Sequence, residues 1–153
     1  MDEPDGLVAW ASANVPQEMC DDPIWRLPAY RYALYLADLV QQDVAKIRAN
    51  PRTRSLTDQL VSAVASISAN IAEGYSRTSP AERARFFEYA DSSAREARDW
   101  LFKVRHALDR EVIVARIGLV TRIMRILVVA IKGERAQRET RARRPAQKIE
   151  RPE

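Results

Sequence analysis

The stretch SPAERARFFEYADSSAREARDWLFKVRHAL, residues 79–108, decides the reading of the fold. It opens with Ser79 as N-cap, Pro80 at the first helical position and Glu82 at the third, which together satisfy orphan backbone donors and preset the helical backbone. From there Phe87, Ala90, Ala94, Ala97, Leu101, Val104 and Leu108 recur at alternating spacings of three and four. That is the repeat of a coiled-coil-like seam. Upstream, a helix is expected after Ser55, which stands three residues before Asp58 as a capping-box pair; it carries Leu56, Leu60, Val64, Ile67 and Ile71, with Gly74 placed to end it. Earlier still, Ala33, Leu36, Val40, Val44 and Ile47 predict a helix from Leu27 or Pro28 to about Ala49, closed by Asn50-Pro51. A fourth helix is expected to start near Asp109. Connections of a few residues force neighbouring helices to run antiparallel, so the expected fold is all-α, an antiparallel up-down-up-down four-helix bundle over residues 25–135.

The flanks lack periodic apolar content, so residues 1–24 are expected to form an unstructured acidic arm and residues 136–153 an unstructured or frayed basic tail. The first 24 residues hold six acids (Asp2, Glu3, Asp5, Glu18, Asp21, Asp22) and no Lys or Arg, so no signal peptide is expected there. At 153 residues and 46% hydrophobic content the chain fits one domain with one core. Cys20 is the single cysteine, so no internal disulfide is available and a reducing cytoplasm is the expected compartment. The most apolar run, Val112 to Ile131, is broken by Arg116, Arg122 and Arg125 and is no membrane span.

The fourth helix carries two apolar stripes. Ile113, Ile117, Val120, Met124, Leu127 and Ile131 form one, and Leu119, Ile123, Ile126 and Ala130 the other. Two stripes need two partners, so Leu119, Ile123, Ile126 and Ala130 are the expected homo-oligomer interface. The competing reading is a single wide core face inside a monomer.

The second helix contains Ser62-Ala63-Val64-Ala65-Ser66-Ile67-Ser68-Ala69-Asn70-Ile71-Ala72, where small side chains flank a thin apolar line and permit close helix approach. Asn70, near such a contact, must find hydrogen-bond partners or cost about 1–3 kcal/mol. The segment from Ser66 through Ala-Asn-Ile-Ala-Glu-Gly (69–74) to Arg77 and Ser79, followed by Glu82, Phe86-Phe87, Ala90, Ser93 and Glu96, resembles the 23S ribosomal RNA intervening-sequence proteins, also called four-helix bundle proteins. The resemblance extends more weakly from Leu27 to Arg135. It implies an up-down bundle that assembles into a ring, commonly a pentamer, without known enzymatic activity. Accessory proteins of diversity-generating retroelements look like relatives, and this implies nucleic acid and a reverse transcriptase as partners. On this resemblance Asn70, Glu73, Gly74, Arg77, Ser79 and Glu96 are motif residues with a structural role. The chain departs from the family pattern at Ser68, where proline is usual, at Arg83, where an aromatic or aliphatic residue is usual, at Arg98, where an acid is favoured, and at Val128-Val129, where Asn-Gly is common.

An inventory of chemistry points to a non-enzyme without cofactor or metal. His106 is the only histidine, which excludes a di-iron site built from Glu-x-x-His pairs and any His-rich zinc site. Gly6, Gly74, Gly118 and Gly133 are too dispersed for a phosphate-cradling loop. Asp91, Arg95, Asp99 and Lys103 form an i, i+4 ladder of opposite charges, a solvated helix face worth about 0.2–0.5 kcal/mol per pair. Glu73 and Glu96 are expected to pair with Arg77, Arg95 or Arg98.

In an up-down bundle the first and third loops share one end. Lys46, Arg48, Arg52 and Arg54 should therefore meet Arg105 and Arg110 and outweigh Asp109 and Glu111. A ring of parallel subunits would repeat this cluster around a rim suited to phosphates. The leading expectation is a cytoplasmic homo-oligomer that binds RNA or DNA through this basic rim, as accessory to a ribosomal or reverse-transcribing complex. The alternative is a protein-interaction scaffold without a nucleic-acid role. The acidic arm folding back over a basic surface is a further expectation.

Overall fold

The computed structural model describes residues 5–143. Among the described residues the elements are α1 (Asp5–Asn14), α2 (Gln17–Asp21), a 3-10 turn at Pro23–Arg26, α3 (Pro28–Ala49), a 3-10 turn at Arg54–Leu56, α4 (Thr57–Tyr75), α5 (Pro80–Lys103), a 3-10 turn at Arg105–Ala107 and α6 (Arg110–Arg143), with no strand. The expected all-helical class holds, and the four expected helices are α3, α4, α5 and α6. Helices α4 and α5 pack along their chain neighbours, and α6 returns against α3.

Each boundary has a local cause. Pro28 and Pro80 occupy the first turns of α3 and α5, where the missing N–H costs nothing. Ser79 takes the extended N-cap conformation but makes no side-chain capping bond, so the start of α5 rests on Pro80. The Ser55 capping box does not form: Ser55 lies in the preceding 3-10 turn, and the Asp58 carboxylate accepts from Arg48 instead. Gly74 does not terminate α4, which runs through Tyr75, and its φ is negative. Its function is close approach, since a Cβ there would stand 2.9 Å from Phe86 Cβ and 3.1 Å from the Phe87 ring.

The core is the seam read from residues 79–108 together with its complements. Ala90, Ala94, Ala97, Leu101 and Val104 are fully buried against Leu36, Leu60, Ile67, Ile71, Val120 and Leu127. Three alanines in succession on α5 let the neighbouring helices approach, and their larger apolar side chains fill the space. Between α3 and α6 the Arg116 guanidinium donates to both Asp43 carboxylate oxygens, at 2.9 and 3.3 Å, in a nearly buried pair. Arg122 on the same side of α6 donates to the Tyr32 hydroxyl at 3.2 Å and lies over its ring.

The N-terminal segment departs from the expected unstructured arm. Helix α1 is seated by Leu7, only 1% exposed and part of the core cluster, and by Trp10, whose indole N–H donates to Asp38 at 2.9 Å while its ring packs on Tyr35. Two apolar anchors seven and ten residues from the start are too few to show a period, which is why the sequence pattern missed the helix. Helix α1 thus docks on α3. The C-terminal segment continues α6 as helix to Arg143; residues 144–153 of the expected tail lie outside the described residues.

Candidate nucleic-acid interface

The turn from α3 to α4 is built by short polar side chains. Buried Thr53 donates its hydroxyl to the Ile47 carbonyl at 2.8 Å, closing orphan acceptors at the α3 C-terminus. The Asn50 side chain accepts from the Arg52 N–H at 3.0 Å, and buried Thr57 packs beneath at the start of α4. With its threonines turned inward, this turn leaves Arg52 and Arg54 exposed. Arg54 Nε is steadied on the Arg48 carbonyl at 3.1 Å. Thr53 and Thr57 were missed by pattern reading because nothing distinguishes a buried threonine from a solvated one in a polar turn.

Across the same end, α5 stops at Lys103 and α6 begins at Arg110. Lys46 Nζ on α3 reaches Asp109 at 3.8 Å, which places the two turns side by side. Lys46, Arg48, Arg52, Arg54, Arg105 and Arg110 are therefore brought to one pole. Two of the six have acidic partners there: Lys46 pairs with Asp109, and Arg48 with Asp58 at 2.7 Å. Arg105 lies 4.1 Å over the Phe102 ring and donates to the Phe102 carbonyl at 2.8 Å. The surplus of arginine over acid at this pole is what an anion would meet. These pairs are exposed, so each is worth well under 1 kcal/mol and yields readily to a phosphate.

Asn70, Glu73, Gly74, Arg77 and Ser79 gather toward the opposite end, whereas Glu96 lies in the C-terminal half of α5. The Asn70 amide donates to the Ser66 carbonyl at 2.8 Å, one turn back on its own helix. Glu73 pairs with Arg77, and the Arg77 guanidinium lies over the Phe86 ring at 5.0 Å. Glu96 accepts from the Trp100 indole N–H at 3.2 Å rather than from an arginine. Arg83 binds the Arg77 and Thr78 carbonyls at 3.0 and 3.1 Å and pairs with Glu134 of α6 at 2.8 Å, pinning the α4–α5 turn to the last helix. A polar arginine fits this position because it has three partners. At the start of α3, burial and then the charge of Asp22 hold the Tyr30 phenol above its ordinary pKa.

Of the expected interface residues, Ile123 is a correction. It is completely buried in its own chain, because the second stripe of α6 turns inward at that point and closes on the core. Leu119, Ile126 and Ala130 pack on the core with one side still exposed. Leu119 lines a groove of about 360 Å³ between α3 and α6, with Tyr35, Leu39, Ala115 and Gly118 and the two arginines Arg116 and Arg122. Val114 and Val129 on α6 are largely exposed.

Among the described residues no group of three His, Cys, Asp or Glu is placed to hold a metal, and no helix is long and apolar enough to cross a membrane. What is described is an all-helical protein with six cations gathered where the α3–α4 and α5–α6 turns meet. Residues 26–128 match the 23S rRNA-intervening sequence protein family, to which the chain belongs. A search of curated proteins gave no match. Among solved structures, a protein of unknown function from the S23 ribosomal protein family of Bacteroides thetaiotaomicron is similar in fold, with 23% identity and a TM-score of 0.62 over 68% of this chain and 98% of that one.

Proposed function

We propose that this chain is a non-catalytic, cytoplasmic, homo-oligomeric protein built on an up-down-up-down four-helix bundle, and that it binds RNA or DNA through the pole formed by Lys46, Arg48, Arg52, Arg54, Arg105 and Arg110. The observation that carries the reading is the meeting of the α3–α4 and α5–α6 turns at the Lys46–Asp109 contact, which gathers cations from four helix ends. The family description, with its reference to 23S rRNA, supports RNA as the first ligand to test. Oligomerisation is supported by the half-exposed Leu119, Ile126 and Ala130 and the exposed Val129 on one long helix. A ring of subunits, five on the family resemblance, multiplies the phosphate contacts, with a ribosomal or reverse-transcriptase assembly as the setting.

Binding through arginine and lysine releases counterions, so affinity for structured RNA and for single-stranded DNA falls steeply as salt rises. The double substitution Arg52→Glu with Arg54→Glu weakens binding across sequences and flattens the salt slope by about two. Fluorescence anisotropy at two salt concentrations measures both. Absence of binding at low salt removes this reading in favour of a protein-interaction scaffold.

A further inference from the structure

We infer that Phe102 is a stacking platform for an unpaired nucleobase, so that the basic pole takes single-stranded nucleic acid at a defined point. The inference deepens the nucleic-acid reading above and rests on it. Phe102 is 56% exposed although phenylalanine is ordinarily among the buried residues. It lies one residue before the end of α5, so its ring stands beside the basic turn. Together with Arg95, Arg98, Asp99 and Ile117 it lines a cavity of about 330 Å³ between α5 and α6.

The charges around that cavity are already sorted. Asp99 pairs with Lys103 at 2.5 Å and Arg95 with Asp91 at 2.8 Å, so neither presents an uncompensated charge. Arg98 makes no ion pair among the described residues and remains as a cation at the cavity wall. Arg105 lies over the Phe102 ring at 4.1 Å, which fixes a second guanidinium beside the aromatic surface. An apolar floor from Ile117, a half-exposed ring with Arg105 over one face, and two arginines suit a base with its flanking phosphates: the base stacks on the face opposite Arg105, and the guanidiniums meet the backbone. A duplex keeps its bases stacked inside the helix and offers nothing to Phe102, so it engages only the arginines.

The test uses the full chain with two probes, an unstructured labelled oligouridylate and an RNA duplex of equal length. Phe102→Leu keeps the apolar bulk and removes the π-face; it weakens oligouridylate binding about fivefold to a hundredfold and leaves the duplex unchanged. Phe102→Trp retains single-strand affinity. If Phe102→Leu binds oligouridylate as tightly as the parent while Arg52→Glu with Arg54→Glu weakens both probes, stacking is overturned and the basic pole survives. A change in oligomeric mass on Phe102→Leu assigns the ring to a subunit contact and overturns the proposal. A parent chain that binds neither probe ends both readings together.

Discussion

Two glycines in helices show how the surroundings of a residue set the sign of a substitution. At Gly74 an added methyl meets the Phe86 Cβ, which is tied to the backbone and has no freedom to swing aside. Gly74→Ala gains about 1 kcal/mol of helix propensity but must spread α4 from α5, and overpacking of this kind costs about 1–3 kcal/mol. At exposed Gly133 nothing lies within 4 Å of the place a methyl would take, so Gly133→Ala stabilises by about 0.5–1 kcal/mol. Denaturant unfolding of the two variants is expected to move the midpoint in opposite directions; equal shifts would show that close packing at Gly74 is not limiting. The family-like motif holds this glycine at the end of a run of small residues, and its placement was legible, but its purpose was not. Cap and close-contact glycines look alike in a sequence, and only the neighbouring Phe86 and Phe87 separate them.

At the scale of elements, α1 is the least secured of the longer helices. It is joined to the rest through Leu7 and Trp10, with Gly6 leaving room for the Tyr35 hydroxyl where a Cβ would stand, and it lies outside the family-matched region. Leu7→Ala removes its one fully buried side chain and costs about 2–5 kcal/mol of docking. The loss falls on α1 first, because local opening draws on the weakest unit. Hydrogen exchange is expected to accelerate over residues 5–14 while Ile67 and Ala94, at the centre of the core, keep their protection. Acceleration spread evenly over the chain would instead make α1 part of one cooperative unit. The periodic helices α3, α4, α5 and α6 were readable because each repeats its apolar contacts several times, so the pattern outlasts any single exception. Helix α1 repeats nothing.

For the whole molecule, the proposed function makes the number of copies in an assembly the factor that sets how many phosphates could be met at once. One wide apolar face on α6 closes on its own core at Ile123, which removes part of the surface that had pointed to a partner. Leu119 in the α3–α6 groove, Ile126, Ala130 and Val129 leave enough to expect association. Light scattering at micromolar concentration is expected to give a multiple of the monomer mass, and Leu119→Glu is expected to lower it. A monomer at that concentration would leave the basic pole intact but isolated, with fewer phosphate contacts and a shallower salt dependence. The charge excess was legible as composition; the meeting of Lys46, Arg48, Arg52 and Arg54 with Arg105 and Arg110 followed from short loops and antiparallel neighbours, and the Lys46–Asp109 contact supports the inference.

By itself the sequence determined the helical class, the approximate positions of the four long helices and most of the side chains that face the core, because an apolar stripe repeating every three or four residues can be buried on only one helix face. It also determined which residues carry positive charge near the loops. Only the tertiary structure decided that Ile123 is enclosed, that Arg83 binds two carbonyls and Glu134, that Leu7 and Trp10 seat an extra helix, and that Phe102 is left in solvent beside arginines. Those outcomes depend on distances between residues far apart in the chain, and no local period encodes how far one helix surface stands from another.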